Sequence, residues 1–264
     1  MAVLIAPAEI SEITPTATVL DVRWKLGGPP ARPDYRAGHL PGATFVDFEH
    51  AFSGPPGSGG RHPLPDPAVL EAAMRAAGVR NDTPVVVYDY GDGMAAARAW
   101  WTLRWAGHRD VRVLDGGFRA WQAQGREVST DEPTVGPGDF VAKPGGMPVL
   151  DAEGAAALAK RGVLLDARTP ERFRGETEPI DPVAGHIPGA RNLPYADLVN
   201  PDGTLRLLKD LPDGEIGAYC GSGITAAHTV MALHHAGRED AALYTGSWSE
   251  WITDPGRPIA LGDR

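Results

Sequence analysis

The sequence predicts an α/β protein made of two tandem copies of one domain, each a mainly parallel sheet flanked by helices. Two observations carry this expectation. Short β-branched runs (Val85–Val87, Val111–Leu114, Val163–Leu165, Ala242–Tyr244) alternate with helical patterns (Pro67–Ala77, Met94–Ala106, Ala152–Lys160), and such alternation implies parallel strands joined by right-handed crossovers. Segments also recur in order along the chain. Val19-Leu-Asp-Val-Arg23 returns as Leu164-Leu-Asp-Ala-Arg168, and Ala37-Gly-His-Leu-Pro-Gly-Ala43 as Ala184-Gly-His-Ile-Pro-Gly-Ala190. Val85-Val-Val-Tyr-Asp89 returns as Ile216-Gly-Ala-Tyr-Cys220, and Leu114-Asp-Gly-Gly-Phe-Arg-Ala-Trp121 as Tyr244-Thr-Gly-Ser-Trp-Ser-Glu-Trp251. Kept order with drifting spacing is the mark of a duplicated domain carrying loops of different length. The length of 264 residues suits two domains of ordinary size.

In chain order, the first copy is expected over residues 1–125, a linker rich in Gly, Pro and charge over 126–147, and the second copy over 148–264. The first copy carries an excess loop, Phe52-Ser-Gly-Pro-Pro-Gly-Ser-Gly-Gly-Arg-His62, whose glycines and prolines read as a surface excursion or the rim of a site. In the second copy an apolar run ending at Tyr219 reads as a buried strand, and Thr225 to Ala236 as a helix closed by Gly237. The copies are expected to pack face to face around a cleft. Ligands of parallel sheets sit beyond the carboxyl ends of the strands, where the loop opened by Cys220 falls.

Formal charge is −9, which argues against nucleic acid or an anionic membrane as partner. The start Met1-Ala-Val-Leu-Ile-Ala-Pro7 has no basic stretch, and nowhere do about 18 apolar residues run together. A soluble, cytoplasmic protein is expected. The chain has a single cysteine, so neither an internal disulfide nor a resolving thiol is available, and any thiol exchange uses an outside molecule.

That cysteine, Cys220, precedes Gly221, Ser222 and Gly223, which are small enough to let backbone N–H groups turn toward its sulfur. The helix that follows directs its positive end to the same place and favours a thiolate or another anion there. A buried, inert cysteine is the commoner case. A Gly-Ser-Gly run, however, packs a core poorly and cradles an anion well.

The paired Ala-Gly-His-(Leu/Ile)-Pro-Gly-Ala motifs, the segments around Trp121 and Trp251, and the loop Cys220-Gly-Ser-Gly-Ile-Thr225 together resemble a tandem-domain rhodanese-type sulfurtransferase over nearly the whole chain. The resemblance implies that Cys220 is the nucleophile that carries sulfur as a persulfide, with Gly221, Ser222, Gly223, Ile224 and Thr225 as its cradle. It makes the first copy inactive, because Asp89 stands where the cysteine would be. The Cys-Gly-Ser-Gly-Ile-Thr form resembles the 3-mercaptopyruvate enzymes, whereas thiosulfate enzymes carry basic residues just after the cysteine. Asp47 and His62 match first-domain positions that face the catalytic loop in the mercaptopyruvate enzymes, and Arg172 matches an arginine that clamps the substrate carboxylate. One position departs from the pattern: where a second such arginine is expected, this chain has Asp181, leaving Arg174 or Arg191 to compensate.

The implied function is sulfur transfer from 3-mercaptopyruvate through Cys220 to a small thiol, a thioredoxin-like protein or cyanide, with no cofactor and no metal. Thiosulfate as donor, or a sulfur-carrier or sensor module without turnover, are the alternatives. A phosphatase loop would need an arginine at the sixth position after the cysteine, where Ala226 stands. His228, His234 and His235 read as a helix end facing solvent rather than a metal set. His39 and His186, present in both copies, read as fold residues. The segment Asp89-Tyr-Gly-Asp-Gly93 reads as a turn, since its acids would repel phosphate.

Overall fold

A computed structural model describes residues 2–13 and 16–263; Met1, Thr14, Pro15 and Arg264, which fall inside the expected domains, lie outside the described residues. Its first half holds β1 (Leu4–Ile5), α1 (Ile10–Ile13), β2 (Thr18–Asp21), α2 (Arg32–Ala37), β3 (Thr44–Phe45), α3 (Phe48–Phe52), α4 (Pro67–Ala76), β4 (Val85–Tyr88), α5 (Met94–Trp105), β5 (Val111–Leu114) and α6 (Gly117–Ala123). The second half repeats much of this as β6 (Val149–Leu150), α7 (Ala152–Arg161), β7 (Val163–Asp166), α8 (Pro170–Arg174), β8 (Arg191–Asn192), β9 (Ile216–Tyr219), α9 (Ile224–His235), β10 (Ala242–Tyr244) and α10 (Ser247–Trp251).

Each half forms a five-stranded sheet, and the two orders are the same permutation: β1-β5-β4-β2-β3 and β6-β10-β9-β7-β8. Every described strand pair is parallel. The central strands β4 (Val-Val-Val-Tyr) and β9 (Ile-Gly-Ala-Tyr) are buried along their whole length, as expected when helices cover both faces of a sheet. Polar caps start the amphipathic helices. Asp66 accepts the Ala68 N–H at 2.7 Å before Pro67 opens α4, and Asp151 accepts the Gly154 N–H at 2.7 Å before α7. The helix after each central strand instead begins at a left-handed glycine, Gly93 (φ 73°) before α5 and Gly223 (φ 82°) before α9.

The repeated motifs have the same work in both halves. Asp166 and Arg168 form a buried ion pair at 2.7 Å, and Arg168 donates to the Gly185 carbonyl at 2.7 Å; Asp21, Arg23 and Gly38 reproduce this with 2.7 and 2.8 Å. His186 stacks on Phe173 and bonds its carbonyl at 2.7 Å, while His39 stacks on Tyr35 and bonds its carbonyl at 2.8 Å. These residues tie the segment before each Pro-Gly turn to its sheet. Trp248 and Trp251 lie in the core of the second half, and Phe118 and Trp121 in that of the first.

The chain divides into two compact units: residues 2–53, 65–147 and 199–205 in one, and 54–64, 148–198 and 206–263 in the other. Residues 126–147 run with the first unit, where Ser129 bridges His39, Phe140 is buried and Gly146 bonds the Trp105 carbonyl at 2.9 Å. More consequential is the excess loop. Residues 54–64, encoded in the first copy, belong to the unit that contains Cys220. No helix among the described residues is long and apolar enough to cross a membrane.

Candidate active site

Cys220 follows β9 directly and is 3% exposed. Its own N–H donates to Ser247 Oγ at 3.1 Å, and its carbonyl accepts the Trp248 N–H at 3.0 Å, so the start of α10 fixes the residue from behind. Ser247 has φ 54°, a left-handed conformation that side chains rarely adopt, and its first-copy counterpart Gly117 has φ 57°. The Ser247 hydroxyl offsets that strain, since it also donates to the Tyr244 carbonyl at 2.8 Å. Beyond Cys220 the chain reverses through Gly223, whose N–H points at the sulfur with a 3.2 Å separation. Only glycine takes this turn without cost, and the turn aims the Gly223 N–H and the start of α9 at Sγ.

The equivalent loop of the first copy shows what such a turn holds. Asp89 occupies the cysteine position, fully buried, and its carboxylate accepts N–H groups from Gly91 at 2.9 Å, Gly93 at 3.1 Å and Ala96 at 3.0 Å. Burial, helped by nearby Asp92, pushes its pKa up to about 7, and the three N–H donors recover only part of the loss. The first copy therefore holds a hydrogen-bonded carboxyl group, and no thiol, at the position that Cys220 takes in the second.

Around Cys220 the side chains come from three stretches. His62 Nδ1 and Ser222 Oγ are hydrogen-bonded at 2.8 Å, both groups being buried. Arg172, near the end of α8, is gripped by Glu178 through Nε at 3.0 Å and Nη2 at 2.7 Å, and Nη2 also reaches Asp181 at 3.3 Å. Arg61 pairs with the other oxygen of Asp181, whose side chain is 3% exposed. The loop bearing Arg61 and His62 is strapped down: Gly57 and Gly60 exchange backbone bonds at 3.0 Å, and the Arg61 N–H donates to Ser249 Oγ at 3.1 Å. A Cβ on Gly60 would lie 2.7 Å from the Gly246 carbonyl oxygen, so that close approach requires glycine.

A rhodanese-like domain model matches residues 7–124 and again 151–254. The chain belongs to the rhodanese-like family. Among rhodanese-like relatives, it is 49% identical to a Pseudomonas aeruginosa protein named "Probable 3-mercaptopyruvate sulfurtransferase", over 97% of this chain and 95% of that protein. It is 46% identical to a Mycobacterium tuberculosis protein provisionally named thiosulfate sulfurtransferase SseB, over 98% and 97%. Its fold matches the crystal structure of the Escherichia coli 3-mercaptopyruvate sulfotransferase SseA with a TM-score of 0.81 at 31% identity, over 95% of this chain and all of that one.

Within this rhodanese-like site the structure brings Cys220, Gly221, Ser222, Gly223, His62 and Arg172 into one unit. Ile224 and Thr225 form the first turn of α9, with Ile224 buried. Asp47 lies in the other unit, where its carboxylate caps α3 by accepting the His50 N–H at 3.0 Å. His62 differs from the rim position expected of it, because its ring is held against Ser222 and buried. Glu178 already occupies the Nε–Nη2 edge of Arg172, so that edge is not free for a substrate carboxylate. Neither Arg174 nor Arg191 answers Asp181: Arg174 pairs with Glu176 at 2.7 Å and Arg191 is exposed. Arg61 does; it adjoins His62, and an aspartate where the resemblance implies an arginine is the signal for it in the sequence. His228 and His234 are buried rather than solvated, because α9 is covered on nearly every side, and burial pulls the His228 pKa down to about 4.

Proposed function

We propose that the chain is a sulfurtransferase that takes sulfur from 3-mercaptopyruvate through a persulfide on Cys220 and passes it to an external thiol or to cyanide. The observation that carries the choice of donor is the 2.8 Å contact between Ser222 Oγ and His62 Nδ1 beside the thiol. In the first half-reaction the Cys220 thiolate attacks the donor sulfur. The S–S bond forms, the C–S bond breaks, and its electron pair moves onto the carbon as the enolate of pyruvate. The donor's S–H proton must then reach that carbon. A hydroxyl coupled to an imidazole is suited to moving it, and the hydroxyl also bonds the ketone oxygen as charge develops there. The Gly223 N–H and the start of α9 hold the thiolate before transfer and the persulfide anion after it. An acceptor thiolate then attacks the outer sulfur and releases Cys220; with cyanide the product is thiocyanate.

A specific observation favours thiosulfate as the second reading. The loop after Cys220 bears no cation, but Arg61 stands beside it, and fixed positive charge near the thiol suits a sulfonate leaving as sulfite. That reaction moves no proton and leaves the Ser222–His62 pair without a chemical use. Side-by-side steady-state kinetics with both donors and a common thiol acceptor decides between them. The mercaptopyruvate reading expects the larger kcat/KM for that donor; a larger value for thiosulfate reverses the assignment, and turnover with neither leaves a carrier module.

A further inference from the structure

We propose that Ser249 is a positioning residue for the proton transfer, holding His62 and Ser222 in register through the residue that precedes each of them. The proposal rests on the mercaptopyruvate reading, in which the His62–Ser222 pair moves a proton, and adds to it the residue that sets the geometry of the pair. His62 and Ser222 meet at 2.8 Å although 160 positions separate them in the sequence. Each follows directly on a residue that Ser249 grips. The Ser249 hydroxyl accepts the backbone N–H of Arg61 at 3.1 Å, and the Ser249 N–H donates to the carbonyl of Gly221 at 2.9 Å. One residue of α10 is therefore a common post for both halves of the pair.

The hydroxyl is itself fixed, since it donates to the Gly246 carbonyl at 3.1 Å, and Ser249 is 8% exposed, so water competes weakly for the Arg61 N–H. Much of the bonding of residues 54–64 is internal. Gly57 and Gly60 exchange bonds at 3.0 Å, and the Gly54 N–H donates to the Pro63 carbonyl at 2.9 Å. A loop closed on itself in this way moves as a body, and a tether next to His62 decides where the imidazole lands. The first copy separates the hydroxyl from the demands of the fold. Arg119 stands there where Ser249 stands in the second copy; its N–H donates to the Tyr90 carbonyl at 3.2 Å, and the Phe118 N–H donates to the Asp89 carbonyl at 2.9 Å. These bonds match those of Ser249 to Gly221 and of Trp248 to Cys220. Holding the loop after the central strand thus needs only backbone groups, and the hydroxyl at residue 249 is what the second copy adds and directs at Arg61.

The test measures kcat and KM with 3-mercaptopyruvate and with thiosulfate in the full-length wild type, in Ser249→Ala, in Ser222→Ala and in the double variant. With mercaptopyruvate, Ser249→Ala is expected to lower kcat roughly 10- to 100-fold with a smaller change in KM, as a displacement of about 1 Å does to a reacting group. With thiosulfate, whose transfer moves no proton, kcat stays nearly unchanged. Because Ser249 acts through the pair, removing its hydroxyl from Ser222→Ala lowers mercaptopyruvate kcat no further. Should the wild type turn over mercaptopyruvate alone, this comparison carries the decision. Unchanged mercaptopyruvate kcat in either single variant, an equal loss with both donors, or losses that multiply in the double variant overturn the proposal and leave sulfur transfer standing. A wild type that turns over thiosulfate alone, or neither donor, overturns the mercaptopyruvate reading and the proposal with it.

Discussion

Ser222→Ala separates proton handling from anion binding, because the hydroxyl reaches His62 at 2.8 Å yet neither Gly223 nor Arg61 depends on it. The substitution removes one hydrogen bond, about 1 kcal/mol of stability, so the protein is expected to fold. Its chemical effect depends on the donor. With 3-mercaptopyruvate the enolate must be protonated, and loss of a positioned proton carrier lowers kcat about 10²- to 10⁴-fold, or about 3–5 kcal/mol of barrier. With thiosulfate the departing sulfite takes no proton, and kcat should be nearly unchanged. The assay is steady-state turnover of each donor with one acceptor in saturating excess, following pyruvate or sulfite release. An equal loss for both donors would mean that Ser222 only shapes the loop, and no loss for mercaptopyruvate would remove the Ser222–His62 pair from the mechanism.

Two further predictions concern the scaffold. The Asp89 pKa is raised from an ordinary carboxylate value to about 7, so between about pH 4 and 7 the folded state keeps a proton that the unfolded chain has lost. Its contribution to stability therefore declines as pH rises through that window, and denaturant titrations at several pH values should show a decline that flattens in Asp89→Asn; parallel pH profiles would place the titration elsewhere. Gly60→Ala puts a Cβ 2.7 Å from the Gly246 carbonyl oxygen and 2.8 Å from Ser249 Oγ at φ 96°, strain of about 1–3 kcal/mol that lifts residues 54–64 from the site. Turnover of either donor should fall together with both Arg61 and His62, while far-ultraviolet circular dichroism stays native; wild-type kinetics would show that the loop is dispensable.

Much of the architecture was legible because it is written locally. The runs at Val85 and Val163 and the motifs around His39 and His186 sit in contiguous segments, and duplication doubled each signal. The edge strands β1, β3, β6 and β8, two residues each, exist through pairing with a neighbour and carry no periodicity of their own. The turn between β9 and α9 that carries Cys220 is legible for the same local reason, a lone cysteine before small residues and a helix. The Arg61–Asp181 pair was not. It joins residues 120 apart in sequence, and nothing near either one announces the other. The excess loop reads as a surface excursion or the rim of a site, and sequence alone does not tell that it belongs to the unit containing Cys220 rather than to the copy that encodes it. The histidines of α9 misled because imidazoles near a helix end usually face solvent, and here the apolar helix is enclosed.

Sulfur transfer through Cys220 is tested most directly by peptide mass spectrometry after brief treatment with 3-mercaptopyruvate and no acceptor. One added sulfur atom is expected on the peptide containing Cys220, removed by cyanide with release of thiocyanate, and absent from Cys220→Ser. Pyruvate release with an unmodified Cys220 peptide, or undiminished turnover by Cys220→Ser, would contradict a persulfide on this residue.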